Sequence, residues 1–359
     1  MTGELRICII ASSRFPIREP LAGGLEAHTL TLARNLRERG HQVALFAAPG
    51  SEHHLDVEDL PAAQFHPSDA ARADVGAMPD QWMREHHAYL DLMLTLARTG
   101  WSRFDVIHNN SLHHLPLAMA ATVDVPMVTT LHTPPVAWLE SAMSYVPATA
   151  RFASVSRAMA RAWSHKVDSA VVLNGVDTRR WALGAGGGPD LWSGRLVPEK
   201  GAHLAVRTAL QAGRRLDLAG PVVDKAYFER EVAPFLSERV RYLGHLTQHE
   251  LVGRVRSASV ALVTPCWEEP YGLVAAEAMS TGTPVAAFAR GALPELVDRT
   301  SGALAAPGDV DDLVRAIQRA SVLDRRMVRR RATTAFSLDR MVDEYERLYR
   351  SRTLGALAS

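Results

Sequence analysis

Cysteine, lysine and long apolar runs are what this sequence has least of. Two cysteines, Cys8 and Cys266, in 359 residues cannot build a disulfide framework, which points to a reducing, cytoplasmic setting. No apolar run approaches the roughly 18 residues of a membrane span. The stretch Ile7-Cys8-Ile9-Ile10-Ala11 is too short for the core of a secretion signal and has no cleavage site after it. The net charge is +1, and acidic and basic residues nearly balance within each half, so there is no basic excess for a nucleic acid. The locally basic run Arg325-Arg326-Met327-Val328-Arg329-Arg330-Arg331 reads as the solvated face of a late helix, with peripheral contact to an anionic membrane as the less favoured reading. Of 40 basic residues only Lys166, Lys200 and Lys225 are lysines. Genome composition accounts for the skew, yet it makes each lysine conspicuous, because an ammonium and a guanidinium are not interchangeable at a site.

What is present is a globular composition, 47% hydrophobic and 22% charged, long enough for about two domains. Short apolar, β-branched runs are expected as strands at 5–12, 42–48, 105–108, 126–132, 151–156 and 169–173. A second series follows at 191–196, 216–219, 240–243, 260–264, 284–288 and 302–305. Helical patterns, such as 25–39 with Leu25, Leu32 and Leu36, separate them. Strands apolar on both faces and alternating with helices indicate parallel, doubly wound α/β sheets. The run Gly184-Ala185-Gly186-Gly187-Gly188-Pro189 reads as a flexible linker. The expected division is therefore a first domain over 1–183, the linker over 184–189, a second domain over 190–337, and a last helix with its tail over 338–359. In that helix Met341, Tyr345, Leu348 and Tyr349 fall at core-packing spacing. Open α/β sheets bind ligands beyond the carboxyl ends of their strands, so two such sheets place a site in the cleft between them.

Three constellations fall after strands. Gly23-Gly24-Leu25-Glu26 opens the first long helix, and its glycines let backbone amides approach an anion at a helix N-terminus. It is neither a Walker loop nor a GxGxxG fingerprint, and a structural turn explains the glycines equally well. Gly194-Arg195-Leu196-Val197-Pro198-Glu199-Lys200-Gly201 follows the first strand of the second series. It offers a planar fork and a point charge for phosphate oxygens. The third runs from Pro265 through Cys266-Trp267-Glu268-Glu269-Pro270-Tyr271-Gly272-Leu273-Val274-Ala275-Ala276-Glu277. Pro270 and Gly272 shape a turn that leaves the amides of Gly272, Leu273 and Val274 free for phosphate or sugar oxygens. Glu269 and Glu277 can accept hydrogen bonds from hydroxyls, and Glu277, set in an apolar helix, needs a partner.

Together with Asn174-Gly175-Val176-Asp177, these motifs resemble, in order and from about residue 5 to 350, those of the family-4 retaining glycosyltransferases of the GT-B fold, some of which serve antibiotic and other natural-product pathways. The resemblance implies that Arg195 and Lys200 hold the donor diphosphate and that Glu277 holds the ribose hydroxyls. Glu269 would contact the transferred sugar and Tyr271 would belong to the donor site, with amides around Gly272, Leu273 and Val274 on sugar or phosphate, and Gly23 and Gly24 closing from the facing domain. It implies a role near the reacting sugar for His132, at a strand end, and a last helix, near Tyr345 and Tyr349, that crosses back to the first domain. It implies a nucleoside diphosphate sugar as donor substrate, with UDP favoured, a hydroxyl-bearing acceptor and no essential metal. Catalytic roles fall to His132, Glu269, Arg195 and Lys200.

The chain departs from the family where His-x-His is usual, having His108-Asn109-Asn110, and where two glycines precede Leu-Pro-Glu, having Gly291-Ala292-Leu293-Pro294-Glu295. Other chemistries fit poorly: there is no Gly-x-Ser-x-Gly elbow and no metal-binding His or Cys motif. Asp309-Val310-Asp311 opens a helix and reads as its cap. The pairs His53-His54, His86-His87 and His113-His114 lack ligand spacing and read as surface or cleft residues. Two alternatives stand beside glycosyl transfer: a nucleotide-sugar epimerase of the same fold, and a nucleotide-binding protein whose active site has decayed.

Overall fold

The computed structural model describes residues 3–52, 57–60 and 66–356, so the pair His53-His54 lies outside the described residues. The first sheet has seven parallel strands: β1 (Arg6–Ile10), β2 (Gln42–Ala47), β3 (Val57–Asp59), β4 (Val106–Asn109), β5 (Met127–Leu131), β6 (Arg151–Ser154) and β7 (Ala170–Val171). Their order is β3-β2-β1-β4-β5-β6-β7. The second has six: β8 (Asp190–Ser193), β9 (Leu216–Ala219), β10 (Val240–Tyr242), β11 (Ala261–Val263), β12 (Val285–Phe288) and β13 (Gly302–Ala305). These run parallel in the order β10-β9-β8-β11-β12-β13. Twelve of these thirteen strands fall on expected runs. The exception, β3, is three residues of Val-Glu-Asp at a sheet edge, too short and too polar to give a periodic signal.

Each sheet is buried on both faces. In the first, Ile7, Ile9 and Leu36 pack on one side and Cys8, Ile10 and Met93 on the other. In the second, Leu191, Val263 and Met279 lie on one side and Leu218, Leu262 and Ile317 on the other. Strand order reverses direction between β1 and β4 and again between β8 and β11, and crevices open beyond the carboxyl ends at such switch points.

The last helix, Leu338–Ala356, returns to the first sheet as expected. Leu338, Met341, Val342, Tyr345 and Tyr349 join its core beside Ile7, Leu30 and Val128. Polar bonds fix the register. The Tyr349 hydroxyl meets His108 Nδ1 at 2.5 Å, and Thr130 Oγ1 lies 2.8 Å from His108 Nε2 and 3.1 Å from the Tyr345 hydroxyl. Burial holds the His108 imidazole neutral, its pKa pushed down to about 3.

Two sequence expectations change here. Residues 184–189 are strapped down along one edge. The amides of Gly184, Gly186 and Gly188 donate to the carbonyls of Thr281, Arg256 and Ser257 at 3.0, 3.1 and 2.7 Å. A Cβ on Gly184 would stand 2.2 Å from the Arg256 carbonyl oxygen, so glycine permits the close approach. The basic run is not simply a solvated face either. Arg325 donates to the carbonyls of Gly184, Arg256, Ala258 and Thr281, and Arg329 to those of Thr178 and Trp181. Arg331 donates to Glu295 O, which leaves Arg326 and Arg330 as the exposed arginines of the run. Packing also crosses residue 183, since Val155, Met159, Val176 and Trp181 share a cluster with Tyr271, Ala275 and Met279 of the second half.

Removing the Tyr349 hydroxyl strands a buried imidazole nitrogen. Tyr349→Phe should therefore cost about 1–3 kcal/mol of stability in urea unfolding; an unchanged midpoint would show that the bond to His108 carries no net stability.

Candidate active site

The carboxyl ends of both sheets face one cleft of about 350 Å³. All eleven residues expected at the site line it: Gly23 and Gly24 after β1, His132 after β5, Arg195 and Lys200 after β8, and Glu269, Tyr271, Gly272, Leu273, Val274 and Glu277 after β11. Three helices start at or beside its wall, Gly24–Glu38, Ala202–Gln211 and Leu273–Ser280, each bringing the positive end of its dipole, although the His203 amide of the second is already taken by the Tyr227 hydroxyl at 3.1 Å.

On the second half, Lys200 Nζ lies 2.7 Å from Glu269 Oε2 and 5.0 Å above the Trp267 ring, while Trp267 Nε1 donates to the same carboxylate oxygen at 3.0 Å. The backbone turn that places Lys200 demands glycine at the next position. Gly201 is left-handed, with φ +68°, and a Cβ there would fall 1.9 Å from Thr264 O. Thr264 in turn donates to Gly201 O at 2.8 Å and accepts from Trp192 Nε1 at 3.0 Å, tying the ends of β8 and β11 together. Among the described residues the half-buried Arg195 guanidinium makes no hydrogen bond or ion pair.

Glu277 is buried at 9% exposure, and burial pushes its carboxyl up to about 8 against the pull of Arg180. Tyr271 lies at the wall, but its hydroxyl donates to Asn174 O at 2.6 Å. Its side chain fastens the loop to the Asn174-Gly175-Val176-Asp177 turn, and only its backbone is left for a ligand. The same loop is bolted to the first half by Ser156 Oγ, which donates to Pro270 O at 2.7 Å. Glu295, of the Leu-Pro-Glu element, accepts from the amides of Arg157 and Ala158 at 2.9 and 2.6 Å. Asp309 caps its helix by accepting from Asp312 N at 2.9 Å, as its position suggests.

On the facing half, His132 Nε2 lies 2.8 Å from Asn110 Oδ1, and its ring meets that of His28 edge-on at 5.0 Å. Burial, with His28 and His108 nearby, holds the His132 pKa well below the usual histidine value, so the imidazole is neutral. Asn110, at the place of the missing second family histidine, thus orients His132. Sequence reasoning also missed Trp267 and Glu26. The Glu26 carboxyl is pushed up by burial, against the pull of Arg195 across the cleft. In the sequence it reads only as an acidic residue in a first helical turn, and its signal was adjacency to Gly23-Gly24.

Two doubly wound sheets facing across a cationic cleft, with the last helix recrossing, define the GT-B class of glycosyltransferases. Residues 22–180 match the model of Glycosyltransferase Family 4, and residues 191–321 match Glycosyl transferases group 1. The chain belongs to the family-4 glycosyltransferases. It is similar to the glycogen synthase of Mycobacterium tuberculosis, 28% identical across 89% of this chain and 86% of that one. AviGT4, a glycosyltransferase involved in avilamycin A biosynthesis, superposes with a TM-score of 0.72 at 23% identity over 98% of both chains. Anabaena Alr3699/HepE in complex with UDP-glucose gives a TM-score of 0.76 at 18% identity, covering 97% of this chain and 100% of that one. Among the described residues no helix is long and apolar enough to cross a membrane.

The raised Glu277 pKa carries a sign. The folded chain holds this proton more tightly than the unfolded chain, so the group lowers stability as pH rises from about 4.5 towards 8. Relative to Glu277→Gln, the unliganded protein should lose on the order of 3 kcal/mol by pH 7. Melting curves of both proteins from pH 5 to 8 test it; parallel curves would mean the carboxyl is not perturbed.

Proposed function

We propose that this enzyme moves a sugar from a nucleoside diphosphate sugar, UDP favoured, to an acceptor hydroxyl with retention of anomeric configuration, in the cytoplasm. The observation that carries this reading is Arg195, a guanidinium with unused donors beside Lys200, at a wall where three helix N-termini converge. Such a wall is built to receive a diphosphate. Arg195 and Lys200 stabilise the departing diphosphate, and Glu277 accepts hydrogen bonds from the ribose hydroxyls. The amides of Gly272, Leu273 and Val274 hold sugar or phosphate, while Gly23 and Gly24 meet it from the facing half. Because cations and helix dipoles meet the charge, no divalent metal is required. The UDP-glucose held by a protein of the same fold supports UDP as the nucleotide.

Catalysis then comes from positioning and from electrostatic stabilisation of the leaving group. Glu269 is engaged by Lys200 and Trp267, which suits a carboxylate that orients the sugar more than a free nucleophile. The acceptor hydroxyl attacks from the face the diphosphate leaves, close to the neutral His132.

Lys200→Ala should lower kcat/KM about tenfold to a hundredfold, since a hydrogen bond to a charged group contributes roughly 1.5–3 kcal/mol. Full activity would overturn the assignment, as would a product whose anomeric centre NMR shows to be inverted. Thermal shifts with UDP-, GDP- and ADP-sugars identify the nucleotide, a ligand at 100 times its Kd adding about 2.7 kcal/mol. Activity lost to EDTA would refute metal independence.

A further inference from the structure

A group of rings beside the cleft is not used by the donor chemistry. Trp82 and His86, on the helix Asp80–Arg103, stack at 5.1 Å. His86 lies 5.9 and 5.6 Å from His113 and His114, whose rings stack at 4.4 Å. Trp138 packs on His114 at 4.5 Å and reaches Trp82 at 5.8 Å, yet 53% of it stays exposed.

Three loops run from the wall of the cleft to this cluster, whose own rings stand just outside the lining. The loop after β1 lines the cleft with Ser12 and Arg14. Its Ser13 amide donates at 2.9 Å to Tyr89, which stacks on His113 at 4.5 Å. The loop after β4 lines it with Leu112, the residue before His113. The loop after β5 lines it with His132 and Thr133, then enters the helix Ala137–Ala142 that carries Trp138.

The cluster is uncharged. Leu115 N donates to His113 Nδ1 at 3.2 Å, so the proton of that ring sits on Nε2. Burial, then His114, His86 and Arg14, push its pKa down to about 3, and those of His86 and His114 are lowered too. The cations nearest the cluster are paired, Arg14 lying 3.3 Å from Glu85 and Arg84 3.9 Å from Asp80, while Arg98 stands about three turns beyond His86 on the helix. His86 Nδ1 is buried without a partner, and no group of three or more His, Cys, Asp or Glu among the described residues is placed to hold a metal ion.

Resting on the glycosyl-transfer reading above, we propose that Trp82, His86, His114 and Trp138 form the acceptor platform, and that the acceptor is an unphosphorylated, polyhydroxylated ring, a saccharide or cyclitol. Indole faces carry the negative side of the ring quadrupole and suit the C–H face of such a ring. Neutral imidazoles offer both donor and acceptor nitrogens to its hydroxyls. A phosphorylated acceptor would need a free cation, and the cluster supplies none.

The full-length protein, with and without UDP, is titrated with myo-inositol, 2-deoxystreptamine and methyl α-D-glucoside against myo-inositol 3-phosphate and glucose 6-phosphate, read by saturation-transfer NMR. We expect the unphosphorylated rings to bind and their phosphates not to. Trp138→Ala, a change at an exposed position, should weaken ring binding at least tenfold and leave UDP affinity unchanged. The platform is overturned if no unphosphorylated ring binds, if a phosphate binds more tightly, or if Trp138→Ala leaves ring binding intact. Failure of UDP alone to bind counts against the donor reading and not against the platform.

Discussion

Tyr345 and Tyr349 reach from the end of the chain into the core beneath His108, and the cleft depends on that return. Two separate doubly wound sheets have no intrinsic reason to present their carboxyl ends to each other. Here the last helix buries five side chains in the first sheet's core, each full burial contributing about 1.5–3 kcal/mol. It leaves the second half at Phe336, whose carbonyl accepts from the Val176 amide of the first half at 2.8 Å. Arg325 and Arg329 hold neighbouring strands of backbone mainly by carbonyl bonds, Arg325 donating also to Thr283 Oγ1 at 2.8 Å. An arginine suits this use, because its rigid fork satisfies several carbonyls at once and a lysine's point charge does not.

The same constraint organises the loop after β11. Glu269-Pro270-Tyr271 sits between the halves, with Ser156 bonding Pro270 and Tyr271 bonding Asn174. A shift between the sheets would therefore move Glu269 and, through it, Lys200. Placement of Glu269 and Lys200 and alignment of the two halves are one mechanical problem here, which is why Tyr271, whose hydroxyl is spent on the Asn174 carbonyl, lies within the most motif-like part of the sequence.

How much of this is legible in the sequence follows from where each signal lives. Strand runs such as Arg6–Ile10 and Val285–Phe288 are buried on both faces, so their apolar character is local and readable, whereas β3 takes its place from distant partners, its ladder with β2 and the pairing of Glu58 with Arg103. The eleven site residues converge because each follows a strand end, and parallel topology sends strand ends to one side. What stayed hidden depends on distant partners. The glycine run resembles a tether until Arg325, about 140 residues on, is seen to hold it. The arginine run resembles a solvated face until its carbonyl acceptors are placed. His86, His113 and His114 look unrelated by spacing and become one cluster only when the helix Asp80–Arg103 packs beside the loop after β4.

The charge states of the cleft point in one direction. Burial keeps His28, His108 and His132 neutral, and it raises the carboxyls of Glu26 and Glu277 towards their neutral forms. Against these stand Arg195, without an ion-pair partner among the described residues, and Lys200, paired with Glu269. A site so built is deficient in negative charge, and under the proposed function a diphosphate would complete it without first displacing a bound carboxylate from Arg195. Lys200 is different, because under the proposed function phosphate would have to share it with Glu269. A compact ammonium can serve a carboxylate and a phosphate from one point, while a guanidinium committed to a bidentate carboxylate pair could not turn as freely. In a chain that writes nearly all its cations as arginine, that shared geometry is a physical reason for lysine at this position.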